Sequence, residues 1–122
     1  MLNLSSVMVG SMQQRVMAAF YEKVFGKKPD MSEDKWAGWS VGKTFFTVGE
    51  HSGMKGKTKE PGRVMFNLET KDVKEEFERI KAISGVTVIK EPYEMGGHGM
   101  LIATLADPDG NYFQLMTPWE KE

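Results

Sequence analysis

The spacing of apolar residues changes along the chain, and each change predicts a new element. In the first half the pattern predicts a strand, a helix, a polar connection and two strands, at residues 4–10, 11–26, 27–34, 35–40 and 43–49. The helix begins at Ser11, whose spacing to Gln14 is that of a capping box, and it stops at Gly26. Its apolar stripe consists of Val16, Phe20 and Val24.

The second half shows the same succession after a polar loop. The predicted loop, strand, helix, strand, loop and two strands occupy residues 55–62, 63–69, 70–85, 86–90, 91–99, 100–106 and 111–117. Thr70 is the predicted N-cap of the helix, and Val73, Phe77 and Ile80 form its apolar stripe. Residues 107–110, Asp-Pro-Asp-Gly, predict the turn between the last two strands.

The two halves can be placed in register, which indicates an internal duplication. An offset of 57 residues places Phe20 on Phe77 and Ser6 on Arg63. Strand alternation then separates two faces: Val64, Phe66 and Leu68 on one, and Arg63, Met65 and Asn67 on the other. We therefore predict one domain over residues 1–122, with module one at 1–56, a loop at 55–62 and module two at 63–122.

Composition narrows the classes of protein. The chain has 122 residues, 40% of them hydrophobic, a net charge of −1 and no cysteine, which excludes disulfides and thiolate ligands. No apolar run approaches the roughly 18 residues of a membrane span, and the N-terminus lacks the pattern of a signal peptide. Lys55, Lys57 and Lys59 form the main basic excess and fit a solvated loop. We expect a cytoplasmic protein that binds neither nucleic acid nor membrane.

Three segments in the right order resemble the vicinal oxygen chelate superfamily, which includes glyoxalase I and the bleomycin-resistance proteins. They are the helix end at 19–26, the helix opened by Asp72-Val73, and the turn Asp107-Pro108-Asp109-Gly110-Asn111. The resemblance implies an α+β fold in which two βαβββ modules form a half-open, barrel-like sheet, the glyoxalase/bleomycin-resistance/dioxygenase fold. It also implies a cavity inside the curved sheets, helices outside, and a homodimer.

Metal-using members of that superfamily hold one divalent ion with four inward side chains, usually His, Glu or Gln. By register these positions fall on Ser6, Thr47, Arg63 and Gln114. Arginine offers donors only and carries a permanent positive charge, and hydroxyls are poor ligands by themselves. We therefore expect no metal and no cofactor, and the metal-dependent activities of the superfamily are not expected here.

A ligand site is the alternative use of that cavity. Three methionines share the parity of the four positions, and the predicted ligand-binding residues are therefore Ser6, Met8, Thr47, Arg63, Met65, Gln114 and Met116. Methionine and tryptophan surfaces suit an adaptable apolar site with a few polar anchors. The same methionines, and Trp36, Trp39 and Trp119, equally suit a packed core or a dimer interface.

Two further features leave alternatives open. His51 and His98 lie in glycine-containing loops, where they fit either solvent exposure or a metal site of a different kind. Arg63 in a cavity needs a partner, either an internal carboxylate, Glu50 or Glu91, or an anionic group of a ligand.

The sequence therefore predicts a metal-free small-molecule binding protein of the glyoxalase/bleomycin-resistance type, whose ligand can include an anionic group. The alternatives are a metal-dependent lyase or dioxygenase with ligands not recognised here, and a structural dimer without a ligand. Whether the protein is an enzyme stays open, as does the identity of the ligand.

Overall fold

The chain folds into two units, Met1–Gly56 and Lys57–Glu122. The structure is a computed structural model that describes residues 1–51, 53–96 and 99–118. Each unit pairs a helix with a four-stranded mixed sheet, so the fold class is α+β and neither sheet closes on itself. No helix among the described residues is long and apolar enough to cross a membrane.

The first unit begins with a strand and a helix and continues with three strands. Its elements are β1 (Ser6–Gly10), α1 (Gln14–Phe25), β2 (Met31–Glu33), β3 (Trp36–Val41) and β4 (Thr44–Gly49). The sheet order is β1-β4-β3-β2, with β1 parallel to β4 and the other pairs antiparallel. The parallel pair follows from the helix between β1 and the rest, since parallel strands require a crossover.

One face of this sheet packs against α1 and forms the core of the unit. The buried residues of the helix are Gln14, Met17, Phe20, Tyr21 and Val24. Tyr21 lies 4.8 Å from Phe46 between ring centroids, and Phe25 lies 5.6 Å from Trp39. The indole of Trp39 is fully buried and donates to the carbonyl of Lys27 at 3.0 Å, which satisfies its only polar group.

The second unit repeats this order. Its elements are β5 (Phe66–Glu69), α2 (Val73–Lys81), β6 (Thr87–Met95), β7 (Met100–Ala106) and β8 (Tyr112–Met116). The sheet order is β5-β8-β7-β6, and β5 is parallel to β8. The helix buries Val73, Phe77 and Ile80, as the predicted stripe requires, and the buried sheet residues include Leu105 and Phe113.

The turn between β7 and β8 is held by a buried carboxylate. Asp107 is 2% exposed, and its Oδ1 accepts the backbone N–H groups of Asp109 at 2.9 Å and Asn111 at 3.0 Å. The side-chain amide of Asn111 donates to both carboxylate oxygens. Gly110 has φ of +83°, a conformation that favours glycine. The Asp-Pro-Asp-Gly-Asn segment is therefore specified by hydrogen bonding and backbone conformation together.

The helix starts differ from the capping prediction. Both helices begin after an N-cap, Gln13 or Asp72, that makes no side-chain capping bond. Instead, Ser11 Oγ accepts the N–H of Gln13 at 3.0 Å, and Thr70 Oγ1 accepts that of Asp72 at 3.1 Å. The predicted capping box is wrong because Gln14 is buried and its Nε2 points to the Val48 carbonyl at 3.5 Å.

The same hydroxyl-to-amide bond in both units corrects the predicted register of the repeat. Three equivalent features of the two units are separated by 59 residues, not 57. They are the last residues of β1 and β5, Gly10 and Glu69, the N-caps Gln13 and Asp72, and the bonding hydroxyls of Ser11 and Thr70. Matching Phe20 with Phe77 gives the wrong offset because the buried stripes of the two helices differ. Helix α1 buries two adjacent residues, Phe20 and Tyr21, whereas the buried residues of α2, Val73, Phe77 and Ile80, are each three or four positions apart. The counterpart of Ser6 is therefore Met65 and not Arg63.

Several element bounds also differ. The strand predicted at 63–69 begins only at Phe66, and α2 ends at Lys81, short of Gly85. The polar connection 27–34 contains β2, a short edge strand, and the loop predicted at 91–99 is strand as far as Met95. Irregular pairing of β6 with β7 between Val88 and Tyr93 disrupts the alternation by which a strand is recognised. Val16, predicted in the apolar stripe, is 51% exposed.

Candidate functional site

Each sheet has one face that its helix does not cover, and we call these the first and second helix-free faces. The first is defined by alternation from the register of β1, β4 and β3. Its positions on these strands are Ser6, Met8, Gly10, Trp36, Gly38, Ser40, Phe45, Thr47 and Gly49. None of these nine carries a charge. Edge strand β2 adds Met31 and Glu33 to the same face.

Glycines make room for aromatic rings on the first helix-free face. A methyl group at Gly38 would lie 2.6 Å from Cζ of Phe45, so the Phe45 ring rests against the backbone there. A methyl group at Gly49 would lie 3.2 Å from Cδ1 of Trp36. The Trp36 and Phe45 ring centroids are 6.2 Å apart with 40° between planes, and both side chains are partly exposed. Together they form a part-exposed aromatic pair.

The three residues predicted on this face from the sequence lie on it. Met8 is 60% exposed and directly opposite Thr47 in the β1–β4 register. Thr47 is only 6% exposed, and its hydroxyl lies 3.5 Å from the Val7 carbonyl oxygen. Ser6 is exposed and opposite Phe45. The structure therefore brings these three residues together on one surface.

The second helix-free face is more polar. Its positions on β5, β8, β7 and β6 are Asn67, Glu69, Tyr112, Gln114, Met116, Met100, Ile102, Thr104, Ala106, Thr87, Lys90, Tyr93 and Met95. Gln114 donates its side-chain N–H to Thr104 Oγ1 at 3.0 Å, which leaves the amide oxygen as the acceptor of that side chain. The ammonium of Lys90 lies 4.3 Å from the centre of the Tyr93 ring. Met116 is 5% exposed and Met65, just before β5, is 39% exposed.

Arg63 is not where the sequence placed it. It lies before β5, and its guanidinium pairs with Glu60 Oε2 at 2.6 Å and 3.1 Å. Both side chains are exposed, at 72% and 68%, because the segment forms a surface turn closed by the Arg63 N–H and the Glu60 carbonyl. The predicted partners, Glu50 and Glu91, are therefore wrong.

The residues at the superfamily's metal positions do not fit a divalent ion. With the corrected register the four are Ser6, Thr47, Met65 and Gln114, which offer two hydroxyls, a thioether and an amide oxygen. Zinc and iron sites in proteins are built from imidazole, thiolate and carboxylate groups, and none is present in this set. Within the part of the chain that the structure describes, no three His, Cys, Asp or Glu side chains are grouped to hold a metal.

The remaining sequence candidates lie elsewhere or outside the described residues. His51 is exposed, and its Cβ would lie 3.2 Å from a methyl group at Gly10, at the end of the first helix-free face. His98 and Trp119 lie outside the described residues. Trp39 belongs to the core rather than to a ligand surface.

A polar pocket of about 280 Å³ lies at the start of α1. Its charged side chains are already paired, Arg15 with Asp34 at 3.4 Å and Lys35 with Glu50 at 3.8 Å. These groups are highly exposed, so the pocket has the character of a solvated surface.

The aromatic pair was missed by the sequence reasoning. The sequence groups Trp36 with the other tryptophans, as suited to an apolar ligand site, a core or an interface, and nothing in it singles out Phe45. The available signal was the combination of Gly38 and Gly49 with aromatic residues on adjacent strands, since glycine in a strand often marks a close approach by another group. Recognising it required knowing which strands are neighbours.

Two units of order β-α-β-β-β, each with the helix on one face of a mixed sheet, define the glyoxalase/bleomycin-resistance/dioxygenase fold. The sequence model described as a glyoxalase-like domain matches residues 6–116, and the chain belongs to that family within the vicinal oxygen chelate superfamily. The resemblance stated from the sequence is thus confirmed.

Solved structures agree in fold. A glyoxalase/bleomycin resistance protein/dioxygenase family enzyme from Burkholderia phytofirmans PsJN is 26% identical, with a TM-score of 0.76 over 95% of this chain and 98% of that one. A glyoxalase-related enzyme from Fulvimarina pelagi is 19% identical, with a TM-score of 0.79 over 97% and 89%. The fosfomycin resistance protein FosX from Listeria monocytogenes is 20% identical, with a TM-score of 0.66 over 97% and 93%. No curated protein matches the chain significantly.

Proposed function

We propose that this protein binds a small organic molecule on its helix-free faces without a metal ion. The observation that carries the proposal is the residue types at the four metal positions of the superfamily. Ser6 and Thr47 in the first unit and Met65 and Gln114 in the second include no imidazole and no carboxylate, the groups of a divalent metal site. Two of these polar groups are also engaged within the protein, Thr47 toward Val7 and Gln114 toward Thr104.

The surroundings support a binding role. Ligand sites are mostly apolar, with a few polar groups that fix orientation. The first helix-free face combines exposed Met8 with the part-exposed rings of Trp36 and Phe45, beside the hydroxyls of Ser6 and Thr47. The names of the relatives span resistance proteins and enzymes, so the family by itself does not choose between binding and catalysis.

Metal analysis tests the metal-free part. Protein purified without chelator and then dialysed against zinc, nickel or manganese should retain far less than one ion per chain. One tightly held ion per chain, together with metal-dependent turnover of a hemithioacetal or a catechol, would instead establish the alternative, a metal-dependent lyase or dioxygenase.

A ligand screen by thermal shift tests binding, since a ligand that prefers the folded state raises the melting temperature. We expect hits whose shift persists in EDTA and disappears in Met8→Glu, which places a charge on the first helix-free face. Val16→Glu is the matched control, because Val16 is similarly exposed, at 51% against 60%, but lies on the helix. Hits that respond equally to both changes would contradict the proposed site.

We also infer that the protein is a homodimer. Edge strands leave backbone groups without partners, and a partner chain commonly covers them. Exposed apolar residues that precede β1, Leu2 at 100% and Leu4 at 76%, favour such a covering. Light scattering should give twice the chain mass of 13.8 kDa, whereas a monomer mass at every concentration would refute the dimer.

A further inference from the structure

We propose that the ligand presents a flat aromatic group without negative charge to Trp36 and Phe45 on the first helix-free face. This inference rests on the proposed function, because it names the chemistry of the molecule that the face binds. It differs from one of the two alternatives that the sequence left open, in which Arg63 meets an anionic group of the ligand.

Geometry favours a ring as the occupant. Gly38 and Gly49 let the Phe45 and Trp36 rings approach the sheet closely, so each ring is backed by the strand. The 6.2 Å separation and 40° tilt make the two rings one tilted aromatic pair. Because both side chains are still partly exposed, a third ring can pack against them in an offset or edge-to-face arrangement.

Neighbouring side chains favour the same chemistry. Met8 is exposed on this face, and the thioether of methionine packs well against aromatic rings. Met54 approaches Gly10 on the same face, with its sulfur 3.5 Å from where a methyl group would lie. The two methionine side chains can adapt their shape to a ring, but they offer it no strong hydrogen bond. They therefore favour a ligand with a large, polarisable apolar surface over one that needs specific polar contacts.

Charge decides against an anion. The nine positions on β1, β4 and β3 are uncharged, and the charge that β2 adds is the carboxylate of Glu33, directly opposite Trp36 in the register. A carboxylate or phosphate beside the aromatic pair would therefore meet repulsion and no compensating cation on these strands. A neutral or cationic ring system is not repelled by Glu33 and needs no cation to compensate its charge.

The alternative is that the two rings have only a structural role and cover Gly38 and Gly49, as aromatic residues do in other sheets that contain glycine. The two readings differ in their outcome with small probes. If the rings only cover glycine, no probe should prefer an aromatic to a saturated skeleton of equal size.

The experiment uses the full chain and three neutral probes: naphthol, quinoxaline and the saturated analogue decahydronaphthol. Two-dimensional ¹H–¹⁵N spectra follow the indole signals, and the Trp36 signal is assigned by its loss in Trp36→Phe. We expect the aromatic probes to shift the Trp36 indole signal and to bind about three- to ten-fold more tightly than decahydronaphthol, the range that one aromatic contact supplies.

Variants locate the effect. Trp36→Leu and Phe45→Leu should each weaken the aromatic probes by about three- to ten-fold, and Trp36→Phe should restore most of the affinity. Val16→Leu is the control, because Val16 is an exposed apolar residue of α1, at 51%, and lies on neither helix-free face. Melting temperatures of all four variants establish that each is folded before binding is compared.

Each outcome decides a different statement. Equal binding of naphthol and decahydronaphthol, or binding unchanged by Trp36→Leu and Phe45→Leu, overturns the aromatic proposal and leaves the proposed function intact. Absence of binding by every aromatic probe overturns it as well. The proposed function fails separately, if the thermal-shift screen yields no ligand sensitive to Met8→Glu.

Discussion

Replacing Gly38 by alanine should destabilise the protein, although alanine is normally the better residue in a strand. The backbone of Gly38 has an ordinary negative φ, so the added methyl group causes no conformational strain. Its effect comes from contact: the methyl would lie 2.6 Å and 2.7 Å from two atoms of the Phe45 ring and 3.2 Å from Cγ2 of Thr47. The ring must therefore retreat by about 1 Å to reach ordinary contact distance.

The expected magnitude combines two opposing effects. Overpacking typically costs about 1–3 kcal/mol, while exchanging glycine for alanine within a strand recovers about 0.5–1 kcal/mol. We expect a net loss of about 0.5–2 kcal/mol in the free energy of unfolding. Because Phe45 is partly exposed and its ring can swing outward, the lower half of that range is favoured.

A double-mutant cycle isolates the contact. Leucine at position 45 lacks the ring atoms nearest to Gly38, so Gly38→Ala in a Phe45→Leu background should be neutral or stabilising by up to about 1 kcal/mol. The coupling energy from urea unfolding should therefore be about 1–2 kcal/mol. If Gly38→Ala changes stability equally in both backgrounds, Phe45 does not rest on Gly38, and the aromatic pair lacks the support argued for it.

Other features of the molecule give sharp expectations. Asp107→Ala should cost at least about 3 kcal/mol in urea unfolding, because the buried carboxylate accepts several hydrogen bonds whose donors would be stranded; a loss below about 1 kcal/mol would contradict this. Arg63→Met should change stability by less than about 0.5 kcal/mol, since its pair with Glu60 is exposed, and a larger loss would mean that Arg63 is buried. The Ser40 backbone N–H, and then the Lys27 ammonium, hold the pKa of Asp30 below its usual value. Ionised Asp30 therefore stabilises the folded state at pH values above its pKa in the unfolded chain, and this stabilisation is lost as the pH falls through its lower pKa in the folded protein. The difference in the free energy of unfolding between wild type and Asp30→Asn should thus shrink below about pH 4. A difference independent of pH would exclude this role of Asp30.

The sequence was sufficient for the fold because its strongest patterns are local. The α2 stripe of Val73, Phe77 and Ile80 and the turn that begins at Asp107 each need only neighbouring residues to form. What failed depended on distant partners. Strand β2 is three exposed residues at a sheet edge, specified by pairing with β3 and not by any apolar alternation of its own.

The register error had a limited effect for a geometric reason. A shift from 57 to 59 residues is even, and side chains in a strand alternate with a period of two, so no residue changes face. Ser6, Met8, Thr47, Gln114 and Met116 were therefore placed on the correct face despite the error. The offset decides only which residue is the counterpart of Ser6. The wrong offset of 57 made it Arg63, and the correct offset of 59 makes it Met65.

Because Arg63 lies at the surface and not in the predicted site, the physical reasons that favour one class of ligand over another also change. With arginine in the site, a metal ion is excluded by charge repulsion and an anionic ligand is invited. With Met65 in its place, the metal is disfavoured because the donors are poor, and the attraction for an anion is gone. On the described strands the charged residues of the two helix-free faces are Glu33, Glu69 and Lys90, and the ammonium of Lys90 already lies over Tyr93. Carboxylates thus outnumber cations on these faces, and what the first helix-free face offers a ligand is apolar area and aromatic contact.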